Sequence, residues 1–128
     1  MEKTDKKNVL VVDDDDNLRT VLIDKLNMSG FYAIGASNGE EGLEKALKTH
    51  PDVILLDIIM PILNGWEMLK KLREDEWGKG AKVIMLTVIE NTEAIARAVE
   101  DNSLAYLIKT NESMDDVVEK VKTMLRNN

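Results

Sequence analysis

Short apolar runs alternate along this chain with longer stretches in which apolar residues recur every three or four positions. The runs span residues 9–12, 31–36, 52–57, 81–87 and 104–108. Most of them are continuously apolar and rich in branched side chains, which is typical of strands buried on both faces of a sheet. We therefore predict five strands in the interior of the protein.

The stretches that follow the runs have the spacing of helices. Their apolar residues are Leu18, Val21, Leu22 and Leu26, then Leu43, Ala46 and Leu47, then Trp66, Leu69 and Leu72, then Ile95, Ala98 and Val99, and finally Val117, Val118, Val121 and Leu125. Helix boundaries are marked by Gly30, by the turn Ser37-Asn38-Gly39, which offers an N-cap, and by the pair His50-Pro51. Strands that alternate with helices predict a parallel α/β sheet with helices on both faces and right-handed crossovers.

Polar residues stand where the predicted strands end. Asp13 and Asp14 follow the first strand, Asp57 ends the third, Thr87 ends the fourth and Lys109 follows the fifth. Because the carboxyl ends of parallel strands share one edge of a sheet, and ligands bind there, we expect these side chains to meet. Such a group of residues is suited to binding a divalent cation and accepting a phosphoryl group.

Composition narrows the class of protein. A length of 128 residues fits one domain, which we expect to span residues 1–128 with a disordered segment at 1–7. The net charge of −7 argues against direct nucleic-acid binding, and the lack of cysteine excludes disulfides and zinc–thiolate sites. Since neither a signal peptide nor an apolar stretch of about 20 residues is evident, we expect a cytoplasmic protein without membrane association.

Several motifs together carry a family resemblance. They are Val-Leu-Val-Val-Asp-Asp-Asp at 9–15, Pro-Asp-Val-Ile-Leu-Leu-Asp at 51–57, Met60-Pro61 with Asn64-Gly65, Val-Ile-Met-Leu-Thr at 83–87 and Tyr-Leu-Ile-Lys at 106–109. In their order and spacing, which extend over almost the whole chain, the sequence resembles the CheY-like receiver domains of two-component response regulators.

The resemblance implies a flavodoxin-like (βα)5 three-layer sandwich with a five-stranded parallel sheet in the order 2-1-3-4-5. It also implies that Asp57 is the phosphoacceptor. Asp13, Asp14, Asp57 and the backbone carbonyl of Ile59 would hold Mg²⁺, for which Mn²⁺ can substitute. The cation would relieve the repulsion among the three carboxylates.

The resemblance further assigns Thr87 and Lys109 to the phosphoryl oxygens, and Thr87 and Tyr106 to a switch that alters the surface of the fourth helix, fifth strand and fifth helix. The phosphoryl donor would be a sensor histidine kinase or a phosphotransfer protein. The receiver of the signal would be a downstream protein or an output domain outside this chain, and a phosphorylation-dependent dimer is compatible with this role. Such a protein promotes only its own phosphorylation and dephosphorylation, and is not an enzyme with a separate substrate.

Two positions depart from the family. Thr110 follows Lys109 where the family commonly has proline, and the sequence leaves open whether the Lys109–Thr110 bond is cis or trans. Val88 follows Thr87 where a small residue is usual, so its bulk is expected to affect access to Asp57 and the lifetime of the phosphorylated state.

Simpler interpretations accompany these assignments. Asp15 and Asp16 suit the cap and first turn of a helix, and His50 suits a helix end away from the site. A Mg²⁺-dependent phosphohydrolase would use Asp13 and Asp15 as its nucleophile and acid/base pair. A flavin or nucleotide carrier is disfavoured because the acidic segment 13–16 lacks neutral donors for a phosphate. A degenerate receiver, which acts only as a docking surface, is the remaining alternative.

Overall fold

Five strands form one parallel sheet within the part of the chain that the computed structural model describes, residues 6–87, 104–108 and 113–126. For residues 87 and 104–108 this description covers the backbone alone. The strands are β1 (Asn8–Val12), β2 (Tyr32–Ala36), β3 (Val53–Asp57), β4 (Val83–Thr87) and β5 (Leu104–Ile108). They lie in the order β2-β1-β3-β4-β5, the order that the resemblance implies, and the predicted parallel α/β fold is confirmed.

Four α-helices connect or follow these strands within the same ranges. They are α1 (Asp16–Met28), α2 (Gly39–Thr49), α3 (Gly65–Arg73) and α4 (Met114–Arg126), and a short 3₁₀ turn spans Gly78–Gly80. The predicted helix with Ile95, Ala98 and Val99 lies outside the described residues. None of the helices in the described ranges is both long enough and apolar enough to cross a membrane.

The strand side chains separate into two cores because successive residues of a strand point to opposite faces. On one face, Val9 and Val11 of β1 belong to a buried cluster that includes Leu22 of α1 and Val121 of α4. On the other face, Leu10 and Val12 pack with residues of α2 and α3, among them Ala46, Met68 and Leu72. All residues of β3 are buried, as expected for a central strand covered on both sides.

Some predicted core positions need correction. Val21 has the spacing of the α1 core stripe but is 49% exposed, since Leu22 and Leu26 supply the buried face. In α4, Met124 is buried and Leu125 is only partly buried against the core. Met28, at the end of α1, is 84% exposed although methionine is among the residues most often buried. Helical spacing gives the direction of a stripe but not its width, which depends on the elements that pack against it.

Candidate functional site

The carboxyl ends of β1, β3 and β4 bring the predicted polar residues to one edge of the sheet. Val12 pairs with Leu56, so Asp13 and Asp57 follow adjacent strand positions. Asp57 pairs with Leu86, so Thr87 lies one position further along the neighbouring strand, β4. Residues that are 30 or more positions apart in sequence therefore meet because the parallel strands end together.

Three carboxylates converge at this edge. Asp13, Asp14 and Asp57 each offer an oxygen atom, and the three oxygen atoms lie within 4.8 Å of one another. Asp13 is fully buried and Asp57 is 6% exposed, whereas Asp14 is exposed to solvent. Carboxylates this close repel one another unless a cation lies between them, and hard oxygen donors are the ligands that Mg²⁺ prefers. The group can therefore hold a divalent cation with one side open to water.

Asp13 and Asp15, in the loop between β1 and α1, have different hydrogen-bond partners. The Asp13 carboxylate accepts a hydrogen bond from the Asp15 N–H at 2.9 Å. Asp15 is the N-cap of α1, because its carboxylate accepts from the N–H groups of Asn17 at 3.0 Å and Leu18 at 3.1 Å. The prediction that Asp15 caps the helix is confirmed. A carboxylate occupied in this way is poorly placed to act as the acid/base of a phosphohydrolase.

Arg19 also contacts this loop, and no sequence pattern predicted the contact. Its Nη1 donates to the backbone carbonyl of Asp13 at 2.7 Å, and its Nη2 pairs with the carboxylate of Asp16. The stem of Arg19 passes over Gly35 of β2, where an added Cβ would lie 3.0 Å from the Arg19 Cδ. The Asp16–Arg19 spacing of three residues on a helix was the available sequence signal, but it says nothing about a backbone acceptor.

A second network lies where β2 leads into α2. The carboxylate of Glu41 accepts from the backbone N–H of Ser37 at 2.7 Å and from its hydroxyl at 2.9 Å, and Lys45 pairs with Glu41 at 3.0 Å. The Ser37 backbone N–H, followed by Lys45, lowers the pKa of Glu41 to about 2. The preceding residue, Ala36, accepts the Asp13 N–H at 3.1 Å, so this network adjoins the acidic loop.

The loop after β3 folds back over the strand end. The N–H of Gly65 donates to the carbonyl of Ile58 at 2.8 Å, and Asn64 and Glu67 form a reciprocal capping box at the start of α3. Two isoleucines of the loop are exposed, Ile59 by 58% and Ile62 by 73%. Ile59 lies two residues beyond Asp57, and the role of its carbonyl as a ligand stays a prediction.

The structure brings together Asp13, Asp14 and Asp57 among the predicted site residues. The backbone of Thr87 lies at the same edge, and the backbone of Tyr106 pairs with Met85 one strand away. Lys109, and the two unusual positions Val88 and Thr110, lie outside the described residues. Their predicted roles remain predictions.

His50 is separate from this edge. It forms the left-handed C-cap of α2, and its ring stacks on Trp77 with centroids 4.2 Å apart and an interplanar angle of 6°. A cleft of about 320 Å³ adjoins the pair and is also lined by Asp52, immediately before the start of β3. The cleft thus lies at the amino ends of the strands, opposite the acidic group. The predicted position of His50 at a helix end is confirmed.

Comparison with known families gives one consistent result. The profile of the response regulator receiver domain matches residues 9–122. The alkaline phosphatase synthesis transcriptional regulatory protein PhoP of Bacillus subtilis is 37% identical over 120 residues, which cover 94% of this chain and 49% of that protein. The nitrate/nitrite response regulator protein NarL of Escherichia coli is 35% identical over 117 residues, which cover 90% of this chain and 53% of NarL. The chain thus spans about half the length of these relatives.

Solved structures of response regulators superimpose on this chain. The chemotaxis protein CheY4 of Vibrio cholerae superimposes with a TM-score of 0.85 at 28% identity, over 94% of this chain and 99% of that one. The response regulator TrrA of Thermotoga maritima, in complex with Mg²⁺ and BeF, gives a TM-score of 0.80 at 34% identity, over 93% of this chain and 99% of TrrA.

Proposed function

This chain belongs to the family of response regulator receiver domains, and from that premise we propose that it is a phosphoacceptor switch in which Asp57 receives the phosphoryl group. Receiver domains are signalling switches of two-component systems that work with histidine kinases and output domains. The observation that carries the proposal is the convergence of the Asp13, Asp14 and Asp57 carboxylates within 4.8 Å at the carboxyl edge of the sheet. We take residues 1–128 as one receiver unit with the (βα)5 arrangement.

The donor set at this edge fits Mg²⁺, and Mn²⁺ as its substitute. Asp13, Asp14, Asp57 and the backbone carbonyl of Ile59 would be the ligands, all of them oxygen atoms. When bound, the cation would offset the repulsion among the carboxylates and the charge of the phosphoryl oxygens. The exposure of Asp14 leaves one side of the group open to water and to a phosphoryl oxygen. The TrrA structure with Mg²⁺ and BeF supports the same assignment.

Asp57 would act as the nucleophile. One of its carboxylate oxygens forms a bond to phosphorus while the bond from phosphorus to the donor's imidazole nitrogen breaks, and the electron pair stays on that nitrogen. Thr87 and Lys109 would contact the phosphoryl oxygens as charge develops on them. Hydrolysis of the acyl phosphate by water then restores the carboxylate. The chain would promote these two reactions on itself and turn over no separate substrate.

The output would be a shift between two conformations. Phosphate on Asp57 favours the state in which Thr87 turns toward it and Tyr106 packs inward, because only that state gains the new contact. The changed surface would involve the segment after β4, β5 and the last helix, α4. A sensor kinase or phosphotransfer protein would be the donor. The recipient would be a downstream protein or an output domain, with phosphorylation-dependent dimerisation as one form of output and no direct nucleic-acid contact by this chain.

Intact-mass analysis after incubation with acetyl phosphate and Mg²⁺ tests the proposal. We expect the parent to gain about 80 Da, one phosphoryl group, and the Asp57→Asn variant to gain nothing. Asp24→Asn is the matched control, since Asp24 is an exposed aspartate of α1. An adduct that persists in Asp57→Asn, or one that forms equally in the presence of a chelator, would contradict the proposal.

A further inference from the structure

Arg19 contacts the backbone of the acidic loop rather than its carboxylates near Asp57. Its Nη1 donates to the Asp13 carbonyl at 2.7 Å, and that carbonyl belongs to the peptide that joins Asp13 to Asp14. We propose that Arg19 is a positioning residue, which holds this peptide so that the carboxylates of Asp13 and Asp14 face Asp57 for a divalent cation. The inference rests on the proposed function and extends it to a residue outside the acidic group.

The Arg19 side chain is held at several points. It is 19% exposed, its Nη2 pairs with Asp16 one turn before it, and its stem lies against Gly35. The guanidinium is planar, with its donors in a fixed fork, so two acceptors define its orientation. A side chain held in this way can in turn fix the peptide to which it donates.

The orientation of the Asp13 and Asp14 carboxylates depends on this peptide to different degrees. The Asp13 carboxylate is buried and accepts from the Asp15 N–H, so the surrounding structure already orients it. Asp14 is exposed, and packing therefore does little to orient its carboxylate. The plane of the Asp13–Asp14 peptide consequently decides where the Asp14 side chain begins, and the Arg19 contact fixes that plane.

The charge of Arg19 and its positioning of the Asp13–Asp14 peptide have opposite effects on the affinity of the site for a cation. A guanidinium near three carboxylates reduces their attraction for a cation, so its removal would strengthen cation binding if only its charge mattered. Loss of positioning would weaken cation binding instead, as loss of a group that orients metal ligands does. The sign of the change therefore distinguishes the two effects.

Mn²⁺ titration, followed by the electron paramagnetic resonance signal of the free ion and with Mg²⁺ as competitor, measures this sign. Arg19→Lys keeps the charge but loses the planar fork, and Arg19→Gln loses the charge. We expect both variants to bind Mn²⁺ about tenfold more weakly than the parent. Asp16→Asn is the matched control, because it removes the charge of the ion pair while the amide oxygen of asparagine can still accept from Nη2 of Arg19. We expect this variant to bind Mn²⁺ with the affinity of the parent.

Other outcomes overturn the inference. Parent-like affinity in Arg19→Lys with tighter binding in Arg19→Gln would assign Arg19 a purely electrostatic effect. Unchanged affinity in both, with a lower Tm in the metal-free state, would assign it to stability alone. Equal weakening in Asp16→Asn would assign the effect to the ion pair.

The proposed function has a separate readout. If the parent binds Mn²⁺ and is phosphorylated on Asp57 but the Arg19 variants bind equally well, only the positioning role of Arg19 fails. If the parent itself binds no divalent cation, the metal assignment of the proposed function fails, and the positioning role fails with it.

Discussion

Gly65 lies directly against the backbone carbonyl of Asp57. A Cβ placed on Gly65 would be 2.4 Å from that oxygen and 2.8 Å from the Cα of Ile58, both of which are backbone atoms that cannot rotate away. The first residue of α3 thus approaches the end of β3 so closely that a hydrogen is the largest group that fits. The loop between them is thereby kept close to Asp57.

Alanine at position 65 should consequently disturb both stability and the site. We expect Gly65→Ala to lower the free energy of unfolding by about 1–3 kcal/mol, as overpacking does, and to slow phosphorylation by acetyl phosphate. Urea denaturation and the rate of mass gain measure the two effects. Gly80→Ala is the control, since no atom lies within 4 Å of a Cβ built at Gly80, and it should leave the phosphorylation rate unchanged.

Glycine at position 62 should have the opposite effect on stability. Ile62 has a φ of +71°, a left-handed conformation that is unfavourable for a branched side chain, and its side chain is 73% exposed. We expect Ile62→Gly to raise the free energy of unfolding by about 0.5–1 kcal/mol, the relief of strain exceeding the added chain entropy. Ile59→Gly in the same loop should lower stability, because Ile59 is exposed without a positive φ. A loss of stability in both variants would argue against strain at Ile62.

Glu41 should make stability depend on acid pH. Its pKa is lowered to about 2 in the folded protein, against about 4.3 in an unfolded chain. The stabilising effect is therefore complete above pH 4.3 and is lost as pH falls through 2. Because the side chain is 37% exposed, we expect less than about 1 kcal/mol.

The difference in stability between the parent and Glu41→Gln should accordingly be largest near pH 7 and disappear toward pH 2. Urea denaturation across this range measures it, and a ¹³C titration of the carboxyl group locates the pKa directly. Glu40→Gln, at an exposed neighbouring position, is the control. A carboxyl titration of Glu41 near 4.3 would contradict the role of the Ser37 hydrogen bonds.

Removal of one carboxylate from the acidic group should stabilise the metal-free protein and reduce the further stabilisation that Mg²⁺ brings. We expect Asp14→Asn to raise the Tm of the metal-free protein, because repulsion with Asp13 and Asp57 is reduced. The same variant should lose most of the stabilisation by Mg²⁺, which for the parent is about 1.4 kcal/mol when Mg²⁺ exceeds its Kd tenfold. Calorimetry with and without Mg²⁺ measures both changes, and an equal Mg²⁺ effect in parent and variant would exclude Asp14 as a ligand.

Substitution of Tyr106 should leave phosphorylation intact but abolish the gain in partner affinity that follows it. We expect Tyr106→Ala to accept a phosphoryl group on Asp57 at the parent rate and to lose the gain in partner affinity that phosphorylation brings, because the inward state lacks its aromatic ring. Mass analysis measures the first quantity, and calorimetric titration with the partner measures the second. Tyr32→Ala, at an exposed tyrosine of β2, is the control. The same gain in affinity in Tyr106→Ala and the parent would remove Tyr106 from the switch.

The sequence allowed the strands and most of the helices to be predicted closely. The predicted first strand, 9–12, is one residue shorter than β1, and the predicted fifth strand has the bounds of β5. The N-cap Asp15 was also recognisable, because capping depends on residues three positions apart or fewer. A cap was expected within Ser37-Asn38-Gly39, and the structure assigns it to Asn38. Exposure was less predictable, as Val21 and Met28 show, since it depends on which neighbour covers a helix face.

What the sequence determined by itself was the alternation of buried runs with helical stretches, and the acidic residue at the end of each of two runs. These are local patterns, and parallel pairing then directs the strand ends to one edge. Only the tertiary structure decided that Arg19 reaches the Asp13 carbonyl over Gly35, and that Gly65 abuts Asp57. Backbone atoms are alike at every position, so their contacts leave no pattern in the sequence and arise only when the crossovers bring distant segments together.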